Sequence, residues 1–193
     1  MKQHTALIKQ LNIPKEHIIA KGMFSIIHEY TGNSVVKTTF DPTYSHVMYL
    51  TKEETVDEPY FISGSYHDCE VVVIEGRVYP VEQYVLPRLK PLIVANLTKE
   101  QKVWHKNWRN FLNAISHIMP HENRFYPKCR EAVDSHFKDM SYNFRLNLHN
   151  LINGMTGSMK FDCYAKRNLM LDDDNQIVIT DPIFCYRTSN NLY

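Results

Sequence analysis

Residues 161–182, with the sequence FDCYAKRNLMLDDDNQIVITDP, are the most informative segment of the chain. Two short apolar runs, Leu169–Leu171 and Ile177–Ile179, lie on either side of a run of Asp and Asn residues. Short apolar runs separated by Asp and Asn are typical of a β-hairpin with a tight turn. The segment therefore predicts a small hairpin, with Asn168 just before its first strand and Asp181 just after its second.

The sequence upstream of residue 90 is mostly β-rich. Residues 17–40 contain three short apolar runs separated by turn-forming residues, and two longer runs, 69–75 and 78–86, lie on either side of a Gly-Arg pair. Together they predict an antiparallel sheet of about five strands. Asp41 followed by Pro42 is a typical helix start, with an N-cap acid and a proline in the first helical position, so a short helix should follow the third strand.

After residue 86 the spacing of the apolar residues changes to that of helices. One apolar stripe recurs every three or four positions and predicts an amphipathic helix: Trp104, Trp108, Phe111, Ile115 and Ile118. A second stripe from Val133 to Leu151 predicts one long helix that ends near Gly154. The two tryptophans could stack on a nucleobase, but their helical spacing favours core packing. The fold class predicted is α+β, with an antiparallel β lobe over residues 1–86 and a reduced helical lobe over residues 87–193.

Composition narrows the classes of function. The 193 residues contain 22 Lys and Arg against 21 Asp and Glu, so the net charge gives no general attraction to nucleic acid or to an anionic membrane. The four cysteines form no Cys-x-x-Cys pair, which argues against a zinc site or a disulfide framework. No segment approaches about 20 uninterrupted apolar residues. We therefore expect a soluble cytoplasmic protein with no direct nucleic-acid partner and no membrane contact.

Two residues of the β-rich half have a possible chemical role. Gly22 lies between two predicted strands, where it would let the backbone approach phosphate oxygens closely, although a lone glycine by itself is more typical of a plain turn. Lys37 lies within an apolar strand. A lysine on the buried side of such a strand is costly unless an anion or a carboxylate meets it, whereas an edge-strand lysine could point into water.

Residues 161–182 resemble the catalytic loop and metal-binding segment of the protein-kinase and aminoglycoside-kinase superfamily. In that superfamily an Asp is followed by an Asn that opens a hairpin, and a second Asp ends the next strand. The interval of 13 positions from Asn168 to Asp181 matches the usual one. The resemblance implies a two-lobed protein-kinase-like fold that uses ATP and Mg²⁺. It makes Asp162 the base or hydroxyl-orienting residue, and Asn168 and Asp181 the magnesium ligands.

The same resemblance assigns roles in the β-rich half. It makes Lys37 the contact of the α- and β-phosphates and a catalytic residue, and it makes Gly22 and Ser25 part of the phosphate-binding loop. Residues 82–85 fall where the hinge between the lobes would lie, so the backbone around Glu82 and Tyr84 could pair with adenine. The alternative is that these residues are a plain strand end.

The Thr-Asp-Pro ending in place of Asp-Phe-Gly, the compact length and the GMFS-to-VVK opening are most similar to the early serine/threonine protein kinases of T7-like bacteriophages. That resemblance implies ATP-dependent phosphorylation of serine or threonine in bacterial host proteins, including the transcription and RNA-processing machinery. The place of action would be the host bacterial cytoplasm.

A second function stays open beside the kinase. Asp162 lies one position further from Asn168 than is usual in the superfamily. No helix glutamate clearly partners Lys37, since Glu53 and Glu54 come at or beyond the end of the predicted short helix. A catalytically degenerate pseudokinase that inhibits a host protein by binding it is therefore the alternative. A small-molecule kinase of the aminoglycoside type is less favoured, because no acidic C-terminal lobe is evident that could hold a polycationic substrate.

Overall fold

The computed structural model describes residues 2–50, 59–162 and 168–185. Within these ranges the helices are α1 (Lys2–Gln10), α2 (Thr43–Leu50), α3 (Lys99–Ile115), α4 (Phe125–Phe137) and α5 (Tyr142–Gly154). The strands are β1 (Ile18–Lys21), β2 (Ser25–Glu29), β3 (Ser34–Thr39), β4 (Tyr60–Phe61), β5 (Ser65–Ile74), β6 (Arg77–Pro87), β7 (Lys90–Pro91), β8 (Met159–Phe161), β9 (Leu169–Leu171), β10 (Ile177–Ile179) and β11 (Ile183–Cys185). The predicted α+β class is confirmed.

The larger sheet is antiparallel and has five strands in the order β1-β2-β3-β6-β5. This agrees with the number and position of strands expected from the sequence. The β5–β6 hairpin closes through Glu75 and Gly76, whose φ angles are 51° and 77°. Two consecutive residues with positive φ are what a two-residue hairpin turn of the favoured twist requires.

Helix α1 covers one face of this sheet, and the sequence did not predict it. Leu7 of α1 is fully buried in a cluster with Ile26, Val72 and Val81. The side-chain amide of Gln10 bonds the backbone of edge strand β5, donating to the carbonyl of Val73 (2.7 Å) and accepting from its N–H (2.9 Å). A nine-residue helix is marginal in water by itself, so these contacts with the sheet stabilise α1.

Helix α2 lies on the opposite face of the sheet. Its side chains Tyr44 and Met48 are buried against Tyr84 and Leu86 of β6. The helix starts as expected, because the carboxylate of Asp41 accepts a hydrogen bond from the Thr43 N–H (2.9 Å). An acid that caps the first turn satisfies a backbone donor that has no partner within the helix.

The helical core is built by α3, α4 and α5, and here one prediction was wrong. The single long helix expected from residue 133 to residue 154 is two helices, because Ser141 starts a new one. The Ser141 hydroxyl accepts a hydrogen bond from the Phe144 N–H (3.1 Å) and caps α5. The apolar spacing misled because residues on both sides of the break, including Phe137 and Phe144, are buried in the same cluster.

The helix predicted around the tryptophans is confirmed as α3. A capping box between Thr98 and Gln101 starts it, and Trp104 and Trp108 stack with a ring separation of 5.6 Å inside the core. Their side chains are therefore part of the packing, not of an exposed stacking surface. Within the described ranges, no helix combines the length and the apolar character needed to cross a membrane.

The predicted C-terminal hairpin is confirmed as β9 and β10. It forms the middle of a four-stranded sheet with the order β4-β10-β9-β7, and β11 pairs with β8 beside it. Asn175 adopts a φ of 62° in the hairpin turn. Strand β4 belongs to the N-terminal half of the chain but pairs in parallel with β10, so the small sheet crosses the boundary expected at residue 86.

Candidate functional site

Strand β3 places Lys37 on the face of the larger sheet that α2 covers. The register pairs Lys37 with Ile27 of β2 and with Tyr84 of β6, so these three side chains lie on one face. Only 4% of Lys37 is exposed. The alternative of an edge-strand lysine that points into water is therefore excluded by the structure.

The Lys37 ammonium forms an ion pair with the carboxylate of Asp181. Asp181 lies two positions after Ile179, the last residue of β10, and it is 144 positions from Lys37 in the chain. The Asp181 side chain is 39% exposed, in contrast to the buried lysine. This ion pair between a buried lysine and a partly exposed carboxylate therefore joins the N-terminal and C-terminal halves of the chain.

Asn168 and Asp162 lie beside Asp181. The Asn168 carbonyl accepts a hydrogen bond from the Thr180 N–H (2.9 Å), and the Asn168 side-chain amide donates to the Asp181 carbonyl. The Asp162 N–H donates to the carbonyl of Pro182 (2.9 Å). Backbone pairing on two sides thus brings Asp162, Asn168 and Asp181 to one edge of the small sheets. Residues 163–167, which connect two of them, lie outside the described residues.

Tyr44 of α2 forms the other wall around the ammonium. The Lys37 Nζ lies 3.7 Å from the centroid of the Tyr44 ring, and the edge of Tyr84 meets Tyr44 with a centroid separation of 5.1 Å. Burial raises the pKa of Tyr44 well above its ordinary value, and the negative charge of Asp181 adds to the increase. The phenol is therefore neutral wherever the protein is folded at moderate pH.

A second carboxylate near this group is that of Asp41. Burial raises the pKa of Asp41, while the hydrogen bonds from Thr43 and the positive charge of Lys37 oppose that increase. The sequence identified Asp41 only as a helix cap. Its position immediately after the strand that carries Lys37 was the signal that could have placed it near the lysine.

Gly22 and Ser25 close a tight turn between β1 and β2. The Gly22 N–H donates to the Ser25 carbonyl (2.9 Å), and a Cβ at Gly22 would lie 2.8 Å from the Ser25 Oγ. The register pairs Ser25 with Thr39, so Ser25 lies on the same face of the sheet as Lys37. The Gly22 carbonyl also contacts the His4 Nε2 (2.7 Å), which ties α1 to the turn.

Glu82 and Tyr84 do not lie at a hinge or at a strand end, which corrects the sequence-based expectation. They are inside β6, between β3 on one side and β5 on the other. A strand that is paired on both sides uses its backbone donors and acceptors in the sheet, so this backbone is not offered to an adenine ring. The Tyr84 hydroxyl donates to the Glu82 carboxylate (2.8 Å), and the Tyr84 side chain is buried beside Lys37.

The donor atoms around Asp181 suit a hard cation. Magnesium is bound through carboxylate oxygens together with phosphate oxygens and water. Asp181 has a carboxylate. The Asn168 side chain uses its amide nitrogen to bond the Asp181 backbone carbonyl, and its amide oxygen belongs to the same planar amide group. Among the described residues, no three or more His, Cys, Asp or Glu side chains cluster to hold a metal.

No protein-family model matches the chain, and no curated protein matches its sequence.

Proposed function

We propose that the protein is a magnesium-dependent phosphotransferase with a protein-kinase-like, two-lobed fold. It would transfer the γ-phosphoryl group of ATP to serine or threonine of a protein. The observation that carries the proposal is the ion pair of Lys37 with Asp181, beside Asn168. Protein kinases hold the nucleotide phosphates with a lysine on the third strand, and they hold magnesium with an Asp and an Asn.

Each residue has a distinct role in this proposal. Lys37 binds the α- and β-phosphates, Asp181 and Asn168 are the magnesium ligands, and Asp162 orients the hydroxyl of the substrate. The turn at Gly22 lies at the end of the sheet face that carries Lys37, where its backbone would cover the phosphates. Binding of MgATP would exchange the ion pair of Lys37 with Asp181 for contacts to phosphate and metal.

The substrate class and the setting come from the resemblance to the early kinases of T7-like bacteriophages. The protein would then act on host proteins of a bacterium, among them components of transcription or RNA processing, in the bacterial cytoplasm. The ordinary net charge of the chain agrees with a protein substrate more than with nucleic acid.

The first experiment measures nucleotide binding separately from transfer. Equilibrium dialysis with labelled ATP and Mg²⁺ would compare the parent protein with Lys37→Met, Asp181→Asn and Lys90→Met. Lys90 is a matched control, because it is ion-paired to Asp173 (3.0 Å) on the exposed surface. We expect at least about a tenfold loss of affinity for the two site variants and no change for the control. Equal binding by all four proteins would remove the proposal.

The second experiment measures phosphoryl transfer from [γ-³²P]ATP to the proteins of a bacterial extract. Asp162→Asn should bind MgATP as the parent does and lose about 10²- to 10⁴-fold in transfer rate, because it removes the carboxylate that orients the hydroxyl. Labelling that is unaffected by both Asp162→Asn and Asp181→Asn would identify a contaminating kinase.

The pseudokinase alternative is favoured by one observation. Within its described residues, 43–50, helix α2 has no carboxylate and presents the ring of Tyr44 to Lys37. In protein kinases a glutamate on a helix pairs with the lysine in the active state. MgATP binding by the parent without detectable transfer, together with a host protein retained equally by the parent and by Asp162→Asn, would support this alternative over the kinase.

A further inference from the structure

The Lys37 ammonium is surrounded by one carboxylate and two tyrosine side chains. The carboxylate of Asp181 pairs with it, the ring of Tyr44 lies across it at 3.7 Å, and the side chain of Tyr84 flanks it from the neighbouring strand. Lys37 and Tyr44 are 4% and 3% exposed. The cation and the ring are therefore both removed from water.

A buried ammonium over an aromatic face is attracted by the negative charge of the π system, and the attraction grows as water is excluded. The ring belongs to α2, whose described residues, TYSHVMYL at 43–50, contain no acid. Asp41, the carboxylate at the start of that helix, is engaged by the backbone N–H and the hydroxyl of Thr43. Among the described residues of α2, the group that contacts the lysine is therefore an aromatic ring.

The hydroxyl of Tyr44 does not explain the position of this ring. It is buried and has no hydrogen-bond partner among the described residues. A buried hydroxyl without a partner is unfavourable, so packing and the contact with the cation must hold the side chain where it is. The ring and the hydroxyl can therefore be separated experimentally, since phenylalanine keeps the first and removes the second.

We propose that Tyr44 is the positioning residue of Lys37, and that it holds the lysine by its ring face. The functional part of this inference rests on the proposed function. When the Asp181 carboxylate binds magnesium, its ion pair with Lys37 is weakened, and the Tyr44 ring keeps the ammonium in place to bind the phosphates. Because a neutral ring does not compete with phosphate for the charge, Lys37 remains free to bind it.

The geometric part can be tested without any nucleotide. In protein labelled with ¹³C-lysine, the ε-methylene protons of Lys37 should be shifted upfield by the ring current of Tyr44, and Lys37→Met assigns the signal. Tyr44→Phe should keep that shift, whereas Tyr44→Leu should return the signal to the range of exposed Lys90. An unshifted Lys37 signal in the parent would overturn the inference, even if Tyr44→Leu fails to fold.

The functional part is read from the nucleotide. Tyr44→Phe should leave the KM for ATP within about twofold of the parent, and Tyr44→Leu should raise it by about tenfold with a smaller change in kcat. Equal loss in both variants would assign the effect to the hydroxyl and contradict the inference. If the parent binds no nucleotide at all, the proposed function fails, while the ring-current measurement still decides whether Tyr44 positions Lys37.

Discussion

Removal of one partner of the Lys37–Asp181 ion pair should change stability by an amount that depends on which partner is removed. The Lys37 side chain is 5% exposed and that of Asp181 is 39% exposed. Asp181→Ala would leave a buried ammonium without its counter-ion. Lys37→Met would leave a carboxylate that water can reach, with an apolar side chain of similar length in the place of the lysine.

The magnitudes follow from this difference in burial. Breaking a fully buried pair costs about 3 to 5 kcal/mol, but here Asp181 is partly screened by solvent and the ring of Tyr44 still faces the ammonium. We therefore expect Asp181→Ala to lower the free energy of unfolding by about 2 kcal/mol. Lys37→Met should stay within about 1 kcal/mol of the parent, because a methionine fills the space and no buried charge remains. In the Lys37→Met background, Asp181→Ala should cost less than about 0.5 kcal/mol.

Urea denaturation of the four proteins of this double-mutant cycle measures these differences, provided that their m-values agree. The pair Lys90 and Asp173 gives a control cycle, since both side chains are more than half exposed. Its coupling energy should be below about 0.5 kcal/mol. The reasoning is refuted if Lys37→Met is as destabilising as Asp181→Ala, or if Asp181→Ala costs the same with and without the lysine.

Two further predictions concern the packing of α2 and the turn between α3 and α4. At Gly154 a Cβ would overlap the His46 ring, so Gly154→Ala should cost about 1 to 3 kcal/mol in urea denaturation, whereas exposed Asn153→Ala should cost nothing; equal values would show that His46 moves freely. The Met119 N–H donates to the Glu122 carboxylate (2.7 Å), and this bond holds the pKa of Glu122 below its ordinary value of 4.5. The carboxylate therefore stabilises the fold above pH 4.5, and this stabilisation is lost as the pH falls through the lower pKa of the folded state. Glu122→Gln should therefore lower Tm more at pH 7 than at pH 3, and the same loss at both pH values would contradict this.

Several features of the fold could be predicted because they depend on neighbours in the sequence. Alternation with a period of two predicted the strands of the larger sheet, and helical spacing predicted the buried face of α3. The cap formed by Asp41 and the hairpin turn at Asn175 also follow from residues a few positions apart. Such local preferences do not need the rest of the molecule to be known.

The same local patterns failed where two elements share one core. The apolar stripe around Phe137 and Phe144 continues across the break that Ser141 introduces, because both helices pack on the same cluster. Helix α1 was missed because it is stabilised by its contact with the sheet rather than by its own sequence. Glu82 and Tyr84 were expected at a hinge, but pairing with β5 and β3 places them inside a strand that has a neighbour on each side.

The sequence by itself, through its resemblance to the protein-kinase superfamily, made Lys37, Asp162, Asn168 and Asp181 the candidate site residues. Only the tertiary structure decided that Lys37 is buried, that it pairs with Asp181 across 144 positions, and that the ring of Tyr44 covers it. These contacts depend on how the sheet, α2 and the C-terminal hairpin pack together. Packing is set by the shapes of all the buried side chains at once, which no short stretch of sequence contains.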